Sequence, residues 1–261
     1  MNEPAYSDVG RAVSASSLAE VAWVAADGTP AVRGVVALLR DDRPVLAFTY
    51  ADVEAAGSLG AASQAVLTLT ERRSTGTSFR PVTLAGRPSL AEDPQGEVFV
   101  AELVTQELRR YPPARLFADS PLLMREHWWY LPRLLVELAV DTVEPVEPRV
   151  APYDHLLVVA DGDRPVIRVA RVDGPEGERL GVEVLGEAPP AGPAVVFGQD
   201  ASFPDLDQWA QWRWTGRWDG HGLVVEQSPA TVGLGRPPGV VQRWRRQRAF
   251  ERRCTEAIPR V

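Results

Sequence analysis

The sequence points to a mainly β protein with helical insertions, in which one folding unit occurs twice. Three observations lead there. Short apolar runs separated by turn dipeptides fill residues 21–87, a stretch at 94–132 carries helical spacing instead, and the turn and strand signals of the first half return in the same order in the second.

In the first unit, Val21 to Ala25 is an apolar run closed by Asp27-Gly28, a dipeptide suited to the positive-φ positions of a hairpin turn. Val32 to Leu39 leads into a second turn at Arg40-Asp41-Asp42, and Pro44 to Phe48 follows as a third strand, which makes a meander. Asp52 to Ala62 reads as a helix with Asp52 as its N-cap, followed by a fourth strand, Ala65 to Leu69. A polar loop at 71–78 then precedes a fifth strand, Arg80 to Arg87. Val98, Ala101, Leu103, Val104 and Leu108 recur at helical spacing, and Pro112-Pro113 and Pro121 break that segment into short pieces. Leu134 to Val143 returns to β, and Glu144 to Pro152, with three prolines, reads as a linker. The expected units are therefore 1–147, with its helical insert at 94–132, and 152–261.

The duplication rests on collinear echoes. Val158 to Gly162 matches Val24 to Gly28 at a spacing of 134 residues (162 − 28), Pro193 to Val196 matches Gln64 to Leu67 at 129, and Thr215-Gly216-Arg217 matches Ala85-Gly86-Arg87 at 130. Leu223 to Glu226 then matches Leu134 to Glu137 at 89, as it should if the second copy lacks the insert. The competing reading is two unrelated β domains that share turn chemistry.

Composition narrows the function. Of 261 residues 45% are apolar and 24% charged, which is enough apolar chain for a real core. The net charge of −7 argues against a general affinity for nucleic acid. All 28 basic residues are arginine, so neither a lysine Schiff base nor a Walker A lysine exists. Cys254 is alone and cannot form an internal disulfide, and the first ten residues have neither a basic nor an apolar targeting region, so the cytoplasm is the expected compartment. Charged residues or proline interrupt every apolar run, and no membrane span is expected.

With the strands placed, residues 18–145 resemble the FMN-binding split barrel of the pyridoxamine 5′-phosphate oxidase superfamily, which includes flavin reductases and haem-degrading relatives. The residues that carry the resemblance are the hairpin at Asp27-Gly28, the second strand Arg33 to Leu38, the third strand ending Phe48-Thr49-Tyr50, the helix after it, and Arg80 to Arg87. The resemblance implies two tandem split barrels packed as a pseudo-dimer, with FMN between them in place of a homodimer's cofactor. It implies that Arg33 holds the phosphate, that Thr49 and Tyr50 offer hydroxyl and backbone groups, and that Gly34, Val35, Val36 and Arg80 complete the site. Val53, Glu54 and Ala55 stand at the helix start where the family has cationic or hydroxyl residues, and Pro81 stands where a glutamine often meets the ring. Between its third and fourth strands the second unit has only Gly186 to Gly192, so one site per chain is expected. The function implied is an FMN-type oxidoreductase acting on a small molecule, either as a monomer or as a homodimer. The alternative is a non-catalytic binding protein for a planar or anionic ligand such as haem.

Other constellations leave two readings each. Trp212, Trp214 and Trp218 share one strand face and either fill a barrel or line a cleft for a flat ligand. His127 either packs among Trp128, Trp129 and Tyr130 or ligates haem. No metal-ligand spacing occurs, and Pro237-Pro238 rules out a dinucleotide fingerprint at Gly233 to Gly239. The arginine-rich tail from Val240 to Cys254 reads as a helix that docks its apolar stripe on the barrels or meets an anionic surface. Cys254 in that helix is either incidental or a thiol of depressed pKa.

Overall fold

The computed structural model describes residues 6–71, 73, 80–150, 152–176 and 178–259. Most of the loop expected at 71–78 lies outside them. Seven strands form the first sheet: β1 (Ala19–Val24), β2 (Pro30–Val35), β3 (Ala37–Arg40), β4 (Arg43–Thr49), β5 (Ala65–Leu69), β6 (Val82–Asp93) and β7 (Arg133–Pro145). Their order is β2-β1-β5-β6-β7-β4-β3. Only Val36 separates β2 from β3, so the two edges of this sheet are halves of one bent strand, and the sheet curls into a barrel. Both arms β6 and β7 are longer than their apolar runs suggest, because they pair with each other along their whole length, from Val82 opposite Pro145 to Asp93 opposite Arg133.

The second sheet is a closed barrel of β8 (Asp154–Asp161), β9 (Arg164–Glu176), β10 (Arg179–Val184), β11 (Gly192–Ala201), β12 (Trp209–Trp218) and β13 (Gly222–Gln227), ordered β10-β13-β12-β11-β8-β9. Strand β9 pairs with β8 through its first half and with β10 through its second, as the bent β2–β3 strand does with β1 and β4. Replacing β1, β2–β3, β4, β5, β6 and β7 by β8 to β13 in order converts one ring into the other. The protein is two tandem split barrels.

Strand register tests the echoes residue by residue. Leu67 faces Leu84 and Val196 faces Trp214, which reproduces the spacings of 129 and 130. The other two echoes are displaced. Val21 and Leu157 occupy equivalent places, opposite Leu67 and Val196, so the first spacing is 136 (157 − 21) and not 134. The reason is the hairpin: Val24 pairs with Pro30 across a five-residue loop, whereas Asp161 pairs with Arg164 across two residues. Gly86 faces Val140 and Gly216 faces Val225, so the last spacing is 85 (225 − 140) and not 89. Both displacements are even, and side chains on a strand alternate with period two, so inward residues still map onto inward residues. The same bulge recurs before Gly86 and Gly216, where a Cβ would collide with the carbonyls of the equivalent Ala139 and Val224.

Helices close the first barrel. The sequence reading did not foresee α1 (Tyr6–Ala15), which buries Val9, Ala12 and Val13 in the first core. Helix α2 (Val53–Gly60) plugs that barrel with Ala56 and Leu59. The insert between β6 and β7 holds a π-helical turn at Phe99–Leu103, then α3 (Val104–Arg110), α4 (Arg115–Ala118) and α5 (Pro121–Glu126). In the second barrel β12 passes to β13 through a short turn at 219–221, without such an insert. Helix α6 (Val240–Ala257) follows the second barrel in sequence but packs Phe250, Cys254 and Ala257 on the first barrel and its insert. Its opening turns do not dock, and Val240, Val241 and Trp244 are exposed there. Trp212, Trp214 and Trp218 fill the second barrel, as the core reading expected. Among the described residues no helix is long and apolar enough to cross a membrane.

The barrels meet through β1, β2 and β5 on one side and β8, β9 and β11 on the other. Ala22, Val32 and Val66 pack with their equivalents Val158, Ile167 and Val195, and Leu156, Val169 and Phe197 extend this apolar contact. The first-barrel equivalents of those last three residues are Glu20, Gly34 and Thr68. The pseudo-symmetric interface therefore has one apolar end and one polar end. At the polar end Glu20 is buried against Arg149, Thr68 and Gln199, with Glu71 3.8 Å from the Arg149 guanidinium.

Candidate functional site

A cavity of 410 Å3 opens beside the polar end of the inter-barrel contact. Its floor is the bend of β2 into β3 at Gly34, Val35 and Val36 together with Phe48 and Thr49 of β4. The insert supplies Glu107, Tyr111, Phe117, Tyr130 and, at its end, Arg133. The second barrel supplies Trp209 and Gln211 from β12, and α6 supplies Phe250. The walls are aromatic and interlocked. Phe117 stacks on Tyr130 with centroids 4.8 Å apart, and Tyr111 and Trp209 close one side at 5.9 Å.

Gly34 holds the two barrels in register here. Its N–H donates to Gln211 Oε1 at 3.1 Å, and its carbonyl accepts from Gln211 Nε2 at 3.2 Å. A Cβ at Gly34 would overlap Gln199 Oε1 and stand 2.9 Å from the Trp209 ring, so only glycine lets β12 approach this closely.

Among the described residues two arginines reach the cavity, and each already has a carboxylate. Arg33 Nη2 donates to Asp52 Oδ1 at 2.5 Å, and Thr49 Oγ1 lies 3.4 Å from Asp52 Oδ2. Asp52 occupies the N-cap position of α2 but makes no cap hydrogen bond, because its carboxylate is turned to Arg33. Arg133 is fully buried, with Nη2 3.3 Å from Glu107 Oε1, and its guanidinium lies between the rings of Phe99 at 3.8 Å and Tyr130 at 4.3 Å. Its Nε–H is buried without an acceptor. The Tyr130 hydroxyl donates to Glu107, and burial pushes the phenols of Tyr130 and Tyr111 up, so both stay protonated.

Of the residues expected from the sequence, Arg33, Gly34, Val35, Val36 and Thr49 line the cavity together. Tyr50 is buried behind it, with its hydroxyl 3.4 Å from Glu92; burial and that carboxylate push its pKa up to about 12. Tyr50 lines instead an adjoining cavity of 480 Å3 at the start of α2, which shares Arg33 and Asp52 with the first. Arg80 is exposed ahead of β6 and outside the lining of both cavities. The carboxylate that meets Arg33 is Asp52, while Glu54 is exposed in the adjoining cavity. Sequence reasoning missed Asp52 in this role, along with Glu107, Tyr111, Arg133, Gln211 and Phe250. Two of the aromatic lining residues carry a signal that could have found them: the odd spacing of Trp209 from Trp212, Trp214 and Trp218, and the place of Phe250 on the apolar stripe of α6.

Histidine and cysteine take no part in the lining. His127 is half-buried, edge-on to Phe117 and Trp129, with Nδ1 3.1 Å from the Leu123 carbonyl. His155 is buried in the second barrel, where Nδ1 meets the Tyr153 carbonyl at 3.2 Å and Nε2 accepts from Trp212 Nε1 at 3.1 Å. Cys254 is buried, and burial pushes its thiol up, opposite to the depressed value that its arginine-rich helix had suggested. Among the described residues no group of His, Cys, Asp and Glu could hold a metal ion.

No protein-family model matches the chain, and no curated protein does. Solved structures do match. A conserved hypothetical protein from Mycobacterium tuberculosis is 15% identical, over 54% of this chain and 83% of its own, with a TM-score of 0.39. A haem-binding protein from Mycobacterium smegmatis is 14% identical, over 98% of this chain and 100% of its own, with a TM-score of 0.37. A putative pyridoxamine 5′-phosphate oxidase from Lactobacillus delbrueckii is 16% identical, over 55% of this chain and 95% of its own, with a TM-score of 0.34. The fold described above rests on this chain's own strand order and register.

Proposed function

We propose that the chain is a binding protein that holds one planar aromatic molecule in the inter-barrel cavity. The observation that carries this reading is the convergence of flat rings from three separate parts of the chain (the insert, β12 and α6) over the open backbone of Gly34 to Val36. Flat apolar walls with a few convergent polar groups suit a ring system that carries its own acceptors, and the acceptor-less Nε–H of Arg133 is a donor such a ring could use. Because both barrels and α6 belong to one chain, a monomer holds a complete site.

FMN fits this cavity in part. The isoalloxazine ring suits the aromatic walls, but the phosphate does not suit the Arg33–Asp52 pair, whose charge is already neutralised. The position of Arg33 and Thr49 on the cavity floor favours FMN as a second reading, and a bound flavin would supply the redox chemistry while the chain binds the ring and limits its contact with water. Haem fits less well, because no histidine among the described residues lines the cavity. Titration with riboflavin, FMN and haemin, followed by absorbance and by tryptophan fluorescence, tests the proposal. Saturable binding of one ring per chain that Trp209→Ala weakens at least tenfold is expected, and absence of binding by all three would refute it.

A further inference from the structure

Resting on the planar-ring reading above, we infer that Asp52 is a specificity-determining residue that rejects phosphorylated ligands, so that the occupant carries an uncharged, polyhydroxylated tail. Among the described residues Arg33 is the only guanidinium common to the ring cavity and the adjoining cavity, so a tail running from one to the other passes it. Asp52 lies on the same route and takes the Arg33 Nη2 donor. A phosphate monoester brings a charge of about −1.5 to −2 at neutral pH, and it would have to displace this carboxylate or lie against it.

The adjoining cavity does not offset that repulsion. Glu54 and Glu256 line it with Asp52, against Arg33 and Arg253, which leaves one formal negative charge. Glu54, Glu256 and Arg253 are exposed and screened by solvent, so the half-buried Asp52 weighs most. Hydroxyl groups meet no such penalty, since they donate to carboxylates and accept from guanidinium. At the other end of the ring cavity Arg133 is likewise matched by Glu107, so the described lining residues leave no surplus cation to hold an anion.

Riboflavin and FMN share one ring and one ribityl chain and differ in the phosphate alone, so their affinity ratio isolates the effect. Equilibrium titration of the full chain is expected to give riboflavin at least tenfold tighter binding than FMN. In Asp52→Asn, which frees Arg33, the ratio should fall below one; in Arg33→Gln, which leaves Asp52 without its partner, it should widen. Each ratio is taken on a single variant, so a general loss of stability cancels. FMN binding as tightly as riboflavin to the wild-type chain, or a ratio that Asp52→Asn leaves unchanged, overturns the role of Asp52 while the planar-ring reading stands. Binding of neither flavin to any variant overturns the flavin form of that reading and this inference with it.

Discussion

Replacing Gly34 by alanine should separate the barrels at the polar end of their contact. The new methyl group would overlap Gln199 Oε1 and lie 2.8 Å from Gln211 Nε2 and 2.9 Å from the Trp209 ring. Gln199 cannot swing aside freely. It is 2% exposed, its Oε1 accepts from Trp209 Nε1 at 2.9 Å, and its Nε2 donates to Glu20 Oε1 at 2.6 Å. Relief must come from moving β12, which breaks both Gly34–Gln211 hydrogen bonds, at about 1 kcal/mol each. Overpacking adds about 1–3 kcal/mol, for a total loss on the order of 3–5 kcal/mol. Gly28→Ala is the control: its φ is +82° but nothing lies within 4 Å of the added Cβ, so only the backbone penalty of about 1 kcal/mol applies. Urea unfolding followed by far-UV circular dichroism reads both, and the Gly34→Ala midpoint should fall by about 1 M or more. A midpoint shift no larger than that of Gly28→Ala would show that the barrels do not depend on this approach.

Three further outcomes follow from buried groups. Arg149→Met leaves Glu20 buried without its cation and should cost about 3–5 kcal/mol in urea unfolding, part of which Glu20→Gln in the same chain restores, because Glu71 keeps Arg73 at 3.1 Å; no recovery would mean that packing, not charge, was lost. Burial lowers the pKa of His155 to about 4 from its ordinary 6.5, so the unfolded chain binds the proton first as pH falls. Stability from this group is therefore complete above pH 6.5 and is lost toward pH 4, by on the order of 3 kcal/mol, and His155→Gln should flatten that part of the urea midpoint profile. Cys254 should not react with an aromatic disulfide reagent in the native protein and should react fully in urea; fast native labelling would show that α6 undocks readily.

The sequence by itself determined that the protein is mainly β with one unit occurring twice, the strands of the first unit and the helical insert between its last two strands. These are local properties: turn chemistry at Asp27-Gly28 and short apolar runs between turns, with helical spacing in the insert. The placing of Arg33, Gly34 and Thr49 in one site came from the family resemblance, and the structure brings them to one cavity because β2 bends into β3, which pairs with β4. Only the tertiary structure decided the charge of the site. Asp52 reads as an N-cap in one dimension, and only the curl of the barrel brings it 2.5 Å from Arg33, nineteen residues away. The same holds for Glu107, Arg133, Trp209 and Phe250, which reach one cavity from the insert, the second barrel and the last helix. Spacing along the chain carries no signal for such contacts, since each is set by how two closed barrels lean on each other, and that depends on residues such as Gly34 and Gln211, 177 positions apart.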